Sequence, residues 1–431
     1  MIIYTVKPGD SIDAIARRYG LPANRIIAEN ELTDPSALVV GQTLVLTQPT
    51  AVYTTAIGDT IYQIASRFGI TPNQIWRNNP SLGGKDTLVP GQELVISLPP
   101  PPYGTIDVNA YAYPNIDRDI LRKTLPYLTY LTLFTYGFRP DGSLVEIDDE
   151  ELIELARTYG VAPIMMLATL GDDGTFSNEL ASTLLADPNL QTRVIENIQA
   201  VLREKRYTGI DVDFEYIPAE YADAYVQFIT NLRAALSPDG YKVFVALAPK
   251  TSADQPGLLY GGHDYSGLGS AADAVLLMTY EWGYTYGPPL PVAPINRVRE
   301  VVDYALTEIP AEKINLGIPN YGYDWALPYV RGESRAQSLS NVAAVDLARQ
   351  RYAAIEFDET AQSPYFRYFV RENGEPIEHI VHFEDARSID AKLNLINEKN
   401  LRGGSIWNIM RYFPQLWLVL NNLFRINRGL E

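Results

Sequence analysis

Cysteine is absent from the 431 residues, so disulfides, iron–sulfur clusters and thiol catalysis are all excluded. Histidine occurs three times, as His263, His379 and His382, too scattered for a histidine-rich zinc site. No metal or other cofactor is expected. There is no run of about 18 apolar residues, and so no transmembrane helix. The opening MIIYTVKPGD has neither the basic n-region nor the apolar h-region of a standard signal peptide. Positive charge is scarce: 35 Lys and Arg against 52 Asp and Glu leave a net charge of −17, which argues against nucleic acid as a partner. What is present is ordinary globular composition, 46% hydrophobic and 20% charged, which excludes wholesale disorder. The length suits two or three domains, one of which can be an α/β barrel. Phenylalanine is sparse beside tyrosine, 13 against 29. A tyrosine joins an apolar face to a polar tip, which suits wet, sugar-like ligands as well as half-buried packing.

An internal repeat occupies the first hundred residues. Residues 4–14 read YTVKPGDSIDA and residues 53–63 read YTTAIGDTIYQ. An offset of 49 relates Gly9-Asp10 to Gly58-Asp59, Ile15-Ala16 to Ile64-Ala65, Gly20 to Gly69 and Asn30 to Asn79. Within each unit the hydrophobic period changes. Ile3-Tyr4-Thr5-Val6 is a short β-rich run ended by Pro8-Gly9. Asp10 is then expected as the N-cap of a helix carrying Ile12, Ile15, Ala16 and Tyr19, with Gly20 as its stop. A second helix carries Ile26, Ile27 and Asn30, and Thr43-Leu44-Val45-Leu46 returns as a strand. This β-α-α-β unit resembles the LysM module, over 1–48 and again over 51–98. The resemblance implies binding of N-acetylglucosamine-containing glycans such as peptidoglycan and chitin. It places the sugar groove between the first strand–helix loop and the loop after the second helix. The residues this picks out are Gly9, Asp10, Ser11 and Asn30 in the first copy, and Gly58, Asp59, Thr60 and Asn79 in the second.

Four consecutive prolines, Pro99 to Pro102, come immediately after and read as a stiff spacer over 99–103. Residues 1–98 carry a net charge of only −1, so nearly all the acidity belongs to the larger C-terminal domain. From 104 to 431, apolar β-rich runs alternate with helical patterns. Strands are expected at 106–112, 128–136, 162–168, 209–216, 242–248, 274–280, 313–318 and 404–409. Helices are expected at 149–159, 190–205, 219–236 and 296–308. Eight strands with helical crossovers predict a (β/α)8 TIM barrel. The surplus length lies near 327–387 and reads as a small α+β insertion between the seventh and eighth strands.

The segment Tyr207-Thr208-Gly209-Ile210-Asp211-Val212-Asp213-Phe214-Glu215-Tyr216 carries the chemistry. Side chains alternate along a strand, so Asp211, Asp213 and Glu215 share one face and Ile210, Val212 and Phe214 the other. Three carboxylates facing a barrel interior are costly unless protonated, hydrogen-bonded or used. A calcium loop would need glycine after the acids and polar residues between them, whereas these are apolar and β-forming. A solvated surface strand is the remaining structural alternative.

This segment resembles the D-x-x-D-x-D-x-E signature of glycoside hydrolase family 18, which includes chitinases and endo-N-acetylglucosaminidases. Asp211, Asp213 and Glu215 match its last three acids, and Thr208 stands where the first aspartate would be. That first acid supports the site from behind, so its loss touches fine tuning more than the reaction. Met278-Thr279-Tyr280-Glu281-Trp282 is similar to the family's M-x-Y-D element, with Glu281 replacing the aspartate. Trp407 is similar to the tryptophan that floors the cleft. The resemblance implies Glu215 as general acid and the substrate's own 2-acetamido oxygen as nucleophile, a substrate-assisted exception to the usual two-carboxylate scheme. Asp213 would then steady the acetamido N–H, Asp211 would share a proton with it, and Tyr280 would orient the acetamido oxygen.

The LysM pair, the run MTYEWGYTYG at 278–287 and the run IPNYGYDW at 318–325 are together similar to spore cortex-fragment lytic N-acetylglucosaminidases. That likeness implies peptidoglycan as partner and a spore coat, cortex or cell-wall location without a signal peptide. A monomer is expected, with no membrane partner. Asn320, Tyr323, Asp324, Trp325 and Trp282 are expected to reach the cleft. Two alternatives remain open: a chitinase or endo-N-acetylglucosaminidase on non-spore glycans, and a non-catalytic glycan-binding lectin. Retention of Glu215 argues against the lectin.

Overall fold

The computed structural model describes residues 1–171, 174–372 and 374–430. Eight parallel strands form its centre: β1 (Thr105–Ala112), β2 (Tyr130–Phe138), β3 (Ala162–Ala168), β4 (Gly209–Asp213), β5 (Lys242–Leu247), β6 (Ala274–Leu277), β7 (Ile314–Pro319) and β8 (Gly403–Trp407). Each pairs in parallel with the next, and β8 pairs with β1, so the sheet closes on itself. Closure with helices outside is the TIM barrel. Its interior is filled by side chains: Ile164, Phe244 and Ala274 form one cluster, and Tyr111, Phe134, Met166, Ala246 and Leu276 another. Just past β4, Phe214 stacks on Tyr225 and Phe228 of the crossover helix Ala222–Leu236.

Two strands end three residues earlier than their sequences suggest. β4 ends at Asp213, because Tyr216 adopts a left-handed φ of 55° and turns the chain out of the barrel mouth. β6 ends at Leu277, where the N–H groups of Thr279 and Tyr280 bond back two residues to Leu277 and Met278 in tight turns. The insertion begins earlier than 327. Its five-stranded antiparallel sheet already contains Gly322–Ala326, paired with Gln337–Leu339 and Glu375–His382. Strands Ser363–Glu372 and Glu356–Asp358 and the helix Asn341–Gln350 complete it.

Each N-terminal module pairs its two strands antiparallel around two helices, Ile12–Tyr19 and Ala23–Glu29 in the first, Ile61–Phe68 and Pro72–Asn78 in the second. The expected cap at Asp10 is corrected: Ser11 is the N-cap, accepting from the Ala14 N–H, and Thr60 does the same in the second copy. Asp10 instead accepts from the Tyr4 hydroxyl (2.6 Å) and the Lys7 N–H (2.8 Å), closing the loop before the helix. Asp59 repeats this with Tyr53 and Ala56.

The prolines do not hold the modules away from the barrel. In the first module Val39 joins the core of the insertion, and the Ile355 N–H donates to Val40 O at 2.8 Å. Gly41, at φ 86°, lies so close that a Cβ would meet Ile355 O at 1.8 Å, so only glycine fits. Gln415 and Thr43 exchange buried hydrogen bonds. In the second module Trp76 packs on Tyr159 at 5.1 Å and the Tyr127 hydroxyl donates to Arg77 O. One continuous apolar cluster runs from Ile61, Ile75 and Trp76 into the barrel's outer shell.

Candidate active site

The barrel strands aim the acids. Asp211 lies opposite Met166 of β3 and Phe244 of β5 in register, deep in the interior and 1% exposed. Asp213 is one inward position higher and is also buried, while Glu215 lies past the strand end and is half-buried. Burial lifts the Asp211 carboxyl to about 6, against a hydrogen bond from the Tyr111 hydroxyl at 2.5 Å that favours its ionised form. Asp213 is pushed up further, first by burial and then by the negative charges of Glu215 and Asp211. Glu215 is also raised, by burial and then by the charge of Glu281. Desolvation therefore leads for Glu215, and the charge that adds to it is that of Glu281.

Asp213, Glu215, Tyr280, Glu281 and Trp407 line one cavity of about 210 Å³, with Tyr111, Tyr113, Phe134 and Met278 around them. Trp407 is held by rings on three sides, Tyr111 at 5.4 Å, Phe134 at 5.1 Å and Tyr113 at 6.3 Å. Tyr280 can turn inward because residue 317 is glycine: a Cβ there would stand 2.8 Å from the Tyr280 ring. Glu281 follows with a left-handed φ of 65° and accepts from the hydroxyls of Tyr321 (3.1 Å) and Tyr323 (3.3 Å). A second cavity, of about 350 Å³, shares Glu215 and Tyr280 and adds Tyr216, Tyr260, Trp282 and Tyr284. A third, of about 220 Å³, shares Trp407 and Glu281 and adds Asn320, Tyr321, Tyr323, Ser338 and Arg411.

Some expected residues are elsewhere. Trp325 is 1% exposed and donates its indole N–H to Gly287 O, within the core that joins the insertion to the barrel. Asp324, one residue along the strand and so on the opposite face, accepts from Tyr368 and pairs with His379. Neither reaches the cavities. Asn320 lines the third cavity, but its side chain is occupied by Asn408 O, Arg411 O and the Asn341 amide. In the modules, Gly9, Asp10, Ser11, Gly58, Asp59 and Thr60 form the first loops, with only the two aspartates partly buried. Asn30 and Asn79 are buried, and each amide bonds both the N–H and C=O of a strand residue, Val45 or Val95. Both side chains are thus committed to the backbone of their own module. The second loops also touch the catalytic domain, through Thr33 to Asp346 (2.6 Å) and Gly84 O to Tyr159 (2.5 Å).

Two residues that shape the site lie outside the sequence reading. Tyr111 was signalled by the period of β1, where Asp107, Asn109, Tyr111 and Tyr113 alternate inward. His263 carried no sequence signal. Its Nδ1 accepts from the Ala248 N–H at 3.0 Å, so Nε2 carries the proton and donates to Phe214 O at 3.1 Å. Burial lowers its pKa to about 4, so it stays neutral while clamping the backbone next to Glu215.

Comparison with known proteins shows the family. Residues 109–411 match the model of the glycosyl hydrolases family 18, and residues 4–47 and 53–97 each match the LysM domain. The chain is 43% identical to the cortical fragment-lytic enzyme of Bacillus subtilis over 99% of both chains. It superposes on the crystal structure of the Bacillus cereus spore cortex-lytic enzyme SleL with a TM-score of 0.84, at 36% identity over 100% of this chain and 99% of that one. A chitinase from Chromobacterium violaceum shares the fold, with a TM-score of 0.68 over 74% of this chain and 98% of the other, at 24% identity. With a glutamate at the mouth of a closed barrel and aspartates beneath it, the chain is a glycosidase that belongs to glycosyl hydrolase family 18 and carries two LysM domains.

Proposed function

We propose that the protein is a peptidoglycan-bound N-acetylglucosaminidase that degrades spore cortex fragments with retention of configuration. The observation that carries this reading is the convergence of Asp213, Glu215 and Tyr280 on one cavity beside Trp407. Glu215, kept protonated by burial, donates its proton to the leaving glycosidic oxygen. The acetamido oxygen of the sugar on Trp407 attacks the anomeric carbon, and an oxazolinium ion forms. Asp213 stabilises the acetamido nitrogen as it becomes positive, and Tyr280 holds the acetamido oxygen in line. Water, deprotonated by Glu215, then opens the ring. Two displacements at the same carbon return the β-anomer. The cortex reading rests on full-length likeness to the Bacillus subtilis enzyme, whose name states that it acts on cortical fragments.

Proton NMR of the first-formed anomer tests the mechanism, and release of product from cortex fragments against chitotetraose tests the substrate. An initial α-anomer would assign water activation to a second base and overturn the role of Asp213. Glu215→Gln should lower turnover by about 10²–10⁴-fold, because the amide keeps shape and loses the transferable proton.

A further inference from the structure

The third cavity differs in charge from the rest of the cleft. Among the described residues lining the three cavities, the charged groups are Asp213, Glu215 and Glu281 and one cation, Arg411. Arg411 makes no ion pair among the described residues, and its side chain donates one bond, from Nη1 to Ser338 Oγ at 3.2 Å. Its backbone is fixed: the buried Asn320 amide donates to Arg411 O at 2.8 Å, and the Asn320 N–H donates to Trp407 O at 3.0 Å. The same asparagine therefore sets Trp407 and the root of Arg411 relative to each other. An exposed guanidinium with no ion-pair partner among the described residues thus stands one cavity away from the general acid, in a protein of net charge −17.

A chain of N-acetylglucosamine alone offers that cation only hydroxyls and amides. A peptidoglycan strand is different, since each muramyl sugar whose lactyl group is not closed into a δ-lactam bears a lactyl ether that ends in a carboxylate or in a peptide carrying carboxylates. An anionic strand entering an acid-lined cleft meets repulsion, which one well-placed arginine can offset by a charge-assisted, bidentate bond.

Building on the peptidoglycan reading above, we propose that Arg411 is a specificity-determining residue that binds a substrate carboxylate in the cavity beyond Trp407. It selects acidic muramyl glycans over neutral N-acetylglucosamine polymers.

Calorimetric binding in the full-length Glu215→Gln background tests this with three probes. These are a peptide-free tetrasaccharide of alternating N-acetylglucosamine and N-acetylmuramic acid, its lactyl methyl ester, and chitotetraose. With Arg411 present, the free acid should bind about tenfold tighter than the ester. Arg411→Gln should bring that ratio close to one, and Arg411→Lys should keep part of it. An acid-to-ester ratio that Arg411→Gln leaves unchanged, or an equal loss on both ligands, overturns the proposal. Turnover by the protein with Glu215 intact separately tests the underlying reading. Cleavage of chitotetraose without cleavage of the muramyl tetrasaccharide would sink the peptidoglycan assignment, while the binding ratio still decides the role of Arg411.

Discussion

Desolvation dominates the titration of Glu215, and the charge of Glu281 comes next, so position 281 tunes the acid as well as lining the cavity. The sign is direct. A negative neighbour disfavours ionised Glu215 and raises its pKa, and an acid catalyst is lost as pH rises through that pKa. Glu281→Gln should therefore move the alkaline limb of the kcat/KM profile to lower pH. A limb that stays in place, or moves up, would show that Glu281 does not act on Glu215 through charge. Burial lifts the Asp211 carboxyl to about 6, and the hydrogen bond from Tyr111 works the other way by favouring its ionised form.

At the level of elements, the paired asparagines show how a module is held shut. Asn79 donates to Ile75 O and Val95 O and accepts from the Val95 N–H, each at 2.8 Å, so one buried amide ties the second helix to the last strand. Asn79→Ala leaves a buried N–H and two buried carbonyls without these partners, a cost of about 2–3 kcal/mol. Thermal unfolding should register that loss even where no glycan is present, which separates a structural role from a glycan contact. The same pair shows what a single sequence reveals. A repeated asparagine at matched offset was visible, but whether it points into a groove or into its own module depends on a strand fifteen or sixteen residues away. The barrel strands were legible because buried parallel strands are continuous apolar runs, and β3 was placed to the residue. The ends of β4 and β6 were not, since the turns at Tyr216 and Thr279 come from backbone conformations that carry no glycine or proline signal. Of the site, the acids and Trp407 could be read from spacing and family likeness. His263 and Arg411 could not, because each acts across a tertiary contact from a loop with no local pattern.

For the whole molecule, docking changes what the N-terminal modules can be. A stiff spacer of four prolines would leave the modules acting through effective concentration alone. Instead Ile75 and Trp76 share an apolar cluster with the barrel, Gly41 is seated against the insertion, and Lys123 of the barrel pairs with Glu31 at 2.7 Å. Removing residues 1–98 would uncover Tyr127, Tyr159 and Phe413 beside Gln415 and break each of these contacts at once. A large side chain fully exposed from such a core costs about 1.5–3 kcal/mol, and several are involved. Each kcal/mol lowers the melting temperature of a unit of this size by roughly 1–2 °C. The intact chain should thus unfold in one calorimetric transition. The fragment 99–431 should melt about 5 °C or more below it, with a matching loss of turnover on soluble oligosaccharides at elevated temperature. Two separate transitions in the intact chain, with a fragment that melts alongside the higher one, would make the modules independent. In that case the contacts above would contribute little to stability, and anchoring by effective concentration would again be the simpler account of why two glycan-binding modules precede this barrel.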